Sequence, residues 1–193
     1  MLNRYLRTLL PLLLSVHGLA APTAHASNDL WNKLQSGGYV LLMRHASTDP
    51  GLGDPPEFRL GDCATQRNLS AAGRDEARRS GRQLAERGIA ISAVLSSRWC
   101  RSLDTAQLAF GTVTPYPPLD SFFAQTAGSE KQTAATLARI HGFRGPGNLA
   151  MVTHQVNITA LTGQYPAQGE IFVVRSNVQG KLELVYRILP PAP

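Results

Sequence analysis

A short apolar run, Tyr39-Val40-Leu41-Leu42-Met43, stops abruptly at Arg44 and His45. A continuous stretch of β-favouring apolar residues of this length fits a strand buried on both faces, the kind found in parallel sheets. Ligands of open α/β sheets sit outside the carboxyl ends of the strands, which is where Arg44 and His45 lie. One Arg-His pair after a strand is an ordinary polar loop, but the arrangement recurs. Ala93-Val94-Leu95 passes through Ser96 and Ser97 into a helical segment carrying Arg101. Leu149-Ala150-Met151-Val152-Thr153 ends in His154 ahead of another helical segment. Strands that alternate with helices in this way demand an α/β fold of three αβα layers around a mainly parallel, mixed sheet.

The intervening segments agree with that architecture. Ser70 is placed to cap a helix that Gly88 stops, with Leu84 inward and Arg74, Arg78, Arg79, Arg82 and Arg87 forming a solvated face. Helices are expected from about Arg101 to Phe110, from Glu130 to Ile140 and from Gln155 to Leu161, with Gly111 and Gly163 ending the first and last. Val113-Thr114 reads as a short strand. Glu170 to Val174 and Leu182 to Tyr186 read as two closing strands that pair antiparallel at an edge, joined by a turn from Asn177 to Gly180.

The order of motifs resembles the histidine phosphatase superfamily, whose fold is called phosphoglycerate mutase-like. The resemblance is carried by Leu42-Met43-Arg44-His45-Ala46 with Thr48, Leu69-Ser70-Ala71-Ala72-Gly73-Arg74 with Ala77, Ser96-Ser97 with Arg101 and Thr105-Ala106, and Val152-Thr153-His154. Each motif is weak alone, and the ordered set spans most of the chain after residue 37. It is most similar to the small secreted branch. The resemblance implies a metal-independent phosphomonoesterase that needs no cofactor. His45 would attack phosphorus to form a phosphohistidine that water then hydrolyses. Arg44, Arg101 and His154 would bind the phosphate oxygens, His154 also counting among the catalytic residues. Asp120 would be the proton donor, with Glu130 as its rival, and an acid in that role implies a rate optimum below neutrality. The same residues also suit a mutase or phosphotransferase, or an envelope protein that only holds phosphorylated glycans.

Cys63 and Cys100 are the only cysteines, and the resemblance places both near the mouth of the site. In an exported chain an even count favours a disulfide between them, two buried free thiols being the alternative. Export itself is read from residues 1–26. They contain no acid, carry Arg4 and Arg7 ahead of an apolar stretch, and end in Ala24-His25-Ala26, the pattern of a cleavable secretory signal. Pro11, His17 and Gly18 interrupt the stretch, which is shorter than the ~20 apolar residues that span a bilayer, so a membrane anchor fits less well. Residues 27–193 are then expected to form one domain in the periplasm or outside the cell. Arg4 and Arg7 leave with the leader and no acid does, so a formal charge of +6 becomes +4. That balance suits a phosphorylated small molecule or glycan, such as an envelope sugar phosphate. No basic run is interleaved with aromatics, which argues against nucleic acid.

The segment from Ser47 to Gln66 is a long loop rich in Gly, Pro and Asp, expected to edge the pocket and help select substrate. Asp49, Asp54 and Asp62 do not have EF-hand spacing and read as solvated turn residues rather than calcium ligands, and no cluster of zinc ligands is present. His141 reads as an exposed loop residue.

Overall fold

The computed structural model describes residues 28–51, 53–177 and 179–193, so the leader reading lies outside the described residues. A six-stranded sheet forms the centre, in the order β3-β2-β4-β1-β5-β6. Its strands are β1 (Val40–Arg44), β2 (Ile91–Ser96), β3 (Thr114–Pro115), β4 (Asn148–Thr153), β5 (Ile171–Ser176) and β6 (Leu182–Ile188). The first four run parallel. β5 pairs antiparallel with both β1 and β6, so the expected antiparallel edge extends one strand further inward than the closing hairpin.

Alternation along β1 sorts its side chains between two helical layers, since successive residues of a strand point to opposite faces. Leu41 and Met43 pack with Leu30 and Leu34 of α1 (Asn28–Ser36), Leu84 of α2 (Ala71–Glu86) and Ala106 of α3 (Cys100–Phe110). Val40 and Leu42 pack on the other face with Ile140 of α4 (Ser129–His141) and Ile158 of α5 (Gln155–Thr162). The layers are therefore α, β and α. α1 was not anticipated from the sequence. Leu30 and Leu34, one turn apart and buried, are its inward stripe, and Asp29 and Lys33 pair at 2.7 Å on the exposed side. Among the described residues, no helix is long and apolar enough to cross a membrane.

Two details fix the elements that carry the site. Ser70 caps α2, its hydroxyl accepting from the Gly73 amide at 3.0 Å. A Cβ built on Gly73 would lie 1.8 Å from the Ser47 carbonyl oxygen, so any side chain there would drive α2 off the segment that follows His45. Asn148, fully buried at the start of β4, donates to the Leu34 and Ala90 carbonyls and accepts from the Tyr39 amide, tying α1, β1 and the α2–β2 turn together. His141 closes α4 instead of lying in a loop, because the helix continues one residue beyond Ile140.

Cys63 and Cys100 are joined in a disulfide, with their Cα atoms 5.7 Å apart and the two residues 37 positions apart in sequence. The bond ties the 47–66 loop to the first residue of α3. Closing a loop of that length restricts the unfolded chain, so the Cys63→Ser/Cys100→Ser double variant is expected to lose about 3 kcal/mol of unfolding free energy, as a lowered midpoint in urea.

Candidate active site

β2, β4 and β1 are neighbours in the sheet, so their carboxyl ends converge on one pocket of about 450 Å³. Arg44 and His45 reach it from the end of β1, His154 from the end of β4 and Arg101 from the first turn of α3. The structure thus brings together four residues that lie up to 110 positions apart in sequence.

His45 is held by its surroundings in one orientation. Its amide donates to the Thr153 carbonyl at 2.9 Å, and its Nδ1 lies 2.9 Å from the Ala46 carbonyl, a contact that requires the proton on Nδ1. The Ala46 amide is in turn fixed by the Thr105 hydroxyl at 3.0 Å. The ring's Nε2 is left with a free lone pair. Burial, opposed only by the Ala46 hydrogen bond and reinforced by the charges of Arg101, Arg44 and Arg67, pushes the imidazolium pKa down to about 3. His154 is held well below the ordinary histidine value, first by burial and then by Arg101 and its other neighbours. Its Nε2 meets the Ser97 hydroxyl at 2.8 Å, and no described residue hydrogen-bonds its Nδ1.

Both histidines are therefore neutral in the native protein, while in the unfolded chain they take up protons below their ordinary value of about 6.5. The unfolded state then binds more protons, and stability falls as pH drops. The expected loss from His45 is about 1.4 kcal/mol per pH unit from about pH 6 down to its native pKa, His154 acts in the same direction, and urea titrations between pH 7 and pH 4 measure the fall.

The cationic wall is larger than the sequence reading anticipated. Arg67 joins Arg44 and Arg101 in lining the pocket, fixed by donation from Nε to the Gly53 carbonyl at 2.8 Å and by a hydrogen bond from Nη1 to the Thr48 hydroxyl. Arg44 donates to the Pro166 carbonyl at 2.9 Å, and the Nε atoms of Arg44 and Arg101 have no hydrogen-bond partner among the described residues. The segment offering Pro166 is pinned by Glu170, whose buried carboxylate accepts from Arg187 at 2.7 Å and from the Ala167 amide at 2.8 Å.

Two expectations about carboxylates are corrected. Asp54 is no solvated turn residue. It pairs bidentately with Arg101 at 2.6 and 3.1 Å, and it also accepts from the Trp99 indole and the Arg67 amide. Burial raises its pKa, but these hydrogen bonds and the Arg101 charge outweigh that and hold it below the usual carboxylate range. Asp120, expected as proton donor, does not line the pocket. Its oxygens accept from the Arg98 amide and guanidinium at 2.6 to 2.8 Å, and its Oδ1 lies 3.3 Å from the Ser97 hydroxyl oxygen. Glu130 lies in the first turn of α4, also away from the pocket, which leaves Asp54 as its one carboxylate among the described residues. No three His, Cys, Asp or Glu side chains cluster as metal ligands among the described residues.

Asp54, Arg67 and Trp99 were not singled out as site residues from the sequence. The adjacency of Gln66-Arg67 to the Ser70 cap is the one local signal that would have marked Arg67, because a helix start fixes the residues just before it.

The fold and the convergent strand ends define a phosphoglycerate mutase-like α/β sandwich, the fold of the histidine phosphatase superfamily. Among solved structures, the chain is similar to the protein histidine phosphatase SixA complexed with tungstate, at 18% identity and a TM-score of 0.54 over 79% of this chain and 97% of that one. It is similar to the alpha-ribazole phosphatase from Shigella flexneri, at 18% identity and a TM-score of 0.57 over 79% and 96%. A phosphoserine phosphatase from Entamoeba histolytica, solved with 3-phosphoglyceric acid, matches at 15% identity and a TM-score of 0.57 over 77% and 95%. No protein-family model matches the sequence, and no curated protein matches it.

Proposed function

We propose that this protein is an exported phosphomonoesterase that works through a phosphohistidine on His45. The observation that carries the reading is the His45 ring, with Nδ1 tied to the Ala46 carbonyl and Nε2 free beside three guanidiniums. A loose phosphoryl transition state carries its charge on three non-bridging oxygens, which planar, permanently charged donors match. The Nε2 lone pair attacks phosphorus, the bond to the leaving oxygen breaks, and that oxygen takes a proton from water. A second water, giving a proton to the hydroxide left by that step, then attacks the phosphohistidine, releasing inorganic phosphate and restoring neutral His45. His154 is assigned to hold a phosphate oxygen through Nδ1. The solved neighbours that are phosphatases support this reading through their shared fold.

Export is supported by the leader pattern of residues 1–26 and by the disulfide, a bond that persists in oxidising compartments. An envelope sugar phosphate is the proposed substrate class, consistent with the mildly basic charge of the chain after the leader.

The test is release of p-nitrophenol from p-nitrophenyl phosphate in excess chelator. Turnover supports the reading, and a folded protein that binds phosphate without turnover would leave a binding protein in its place. Asp54, the one carboxylate among the described residues that lines the pocket, is held below the usual range by Arg101 and serves as no proton donor, so kcat is expected not to decline between about pH 6 and pH 8. A decline that disappears in Asp120→Asn would restore Asp120 as the donor.

A further inference from the structure

Of the four large hydrophobic side chains exposed among the described residues, Leu60, Phe123, Tyr165 and Leu189, two stand at the mouth of the His45 pocket. Phe123 is 53% exposed and Tyr165 66% exposed. Scattered exposed hydrophobes need no explanation, but a pair that rims one concave site marks a contact surface. The Phe58 and Trp99 rings, which line the same pocket, lie 5.6 Å apart, and the His154 ring meets Trp99 edge-on at 5.5 Å. The pocket therefore carries aromatic side chains beside His154 as well as the two exposed ones.

The rim is held in place. Asp120, at the base of the segment carrying Phe123, is pinned through its carboxylate by Arg98 and through its carbonyl by Gln132 and Asn157 at 3.0 and 2.9 Å. Phe123 then reaches over Gly53, its Cε1 lying 3.8 Å from where a Cβ would sit. The polar lining near it is neutral, from Gln125 and Gln155, and the single carboxylate, Asp54, is occupied by Arg101. Nothing there attracts a cationic leaving group.

We infer that Phe123 and Tyr165 form a leaving-group subsite for a neutral ring with a flat apolar face, either a pyranose or an arene, esterified to the phosphate bound at Arg44, Arg67 and Arg101. The inference rests on the phosphatase reading for its place in catalysis, but its binding is measured without turnover. Aromatic faces stack on flat rings, whereas a short acyclic chain offers them little area.

The experiment compares the affinities of methylphosphonate, phenylphosphonate and a pyranosyl methylphosphonate, by calorimetry, on protein purified from expression of the full chain. At least one ring compound is expected to bind about tenfold tighter than methylphosphonate. The Phe123→Ala/Tyr165→Ala variant should lose that preference and keep most of its affinity for methylphosphonate, since both side chains are exposed and the three guanidiniums remain in place. Which ring compound gains names the source, sugar or arene. Equal affinity for all three, or a preference that survives the double substitution, would overturn the subsite. Hydrolysis of p-nitrophenyl phosphate by the same preparation is read separately, so failure of the phosphatase reading is distinguishable from failure of the subsite.

Discussion

Replacing His45 by alanine is expected to lower kcat on p-nitrophenyl phosphate by about five orders of magnitude, because removal of a covalent nucleophile leaves only the surrounding electrostatics. His45 is 3% exposed, and every part of its environment makes Nε2 a nucleophile: the Nδ1 contact with Ala46, the burial and the neighbouring guanidiniums that disfavour its protonation. The same experiment has a second readout. Wild-type protein quenched during turnover should carry a phosphoryl label that is lost in acid and kept in alkali, and the variant should carry none. Retained turnover in His45→Ala would mean that the chemistry passes through another group.

Arg101→Ala should cost about three orders of magnitude in kcat/KM, the scale on which a guanidinium stabilises transferring phosphoryl groups. It should also destabilise the fold. Arg101 and Asp54 are 4% and 10% exposed at the side chain, and removing one member of a buried pair strands the other's charge at about 3 to 5 kcal/mol. The two effects separate in the Asp54→Ala/Arg101→Ala double variant. Stability should largely recover, since no unpaired charge is left, while activity should stay at the level of the single variant. Urea denaturation beside steady-state kinetics checks both. Recovery of activity in the double variant would make Arg101 a structural partner of Asp54 and no phosphate ligand.

The Asp54 pair also explains where sequence reading succeeded and failed. Arg44, His45, Arg101 and His154 were legible because each directly follows a buried apolar strand or opens the helix after one, and a strand's carboxyl end has one address in this fold. The neighbouring order of β2, β4 and β1 then brought those ends together without further information. The Ser70 cap and the glycine helix stops were legible for the same reason, since capping depends on residues a few positions apart.

Asp54, Asp120 and Arg67 were not legible in this way. Asp54 stands in a Gly- and Pro-rich run where an aspartate is equally at home in solvent, and only the path of that loop, tied to α3 by the disulfide, sets it against Arg101 47 residues away. Asp120 follows a leucine at the point where a proton donor was expected, yet the Ser97-Arg98 turn meets its carboxylate first, through contacts 22 and 23 residues apart. The sequence by itself determined the layers and the residues that stand at the strand ends, because period and capping are local properties of the chain. Which carboxylate meets which cation was decided only by the tertiary structure, because an ion pair depends on distances that loops set and that no local pattern encodes.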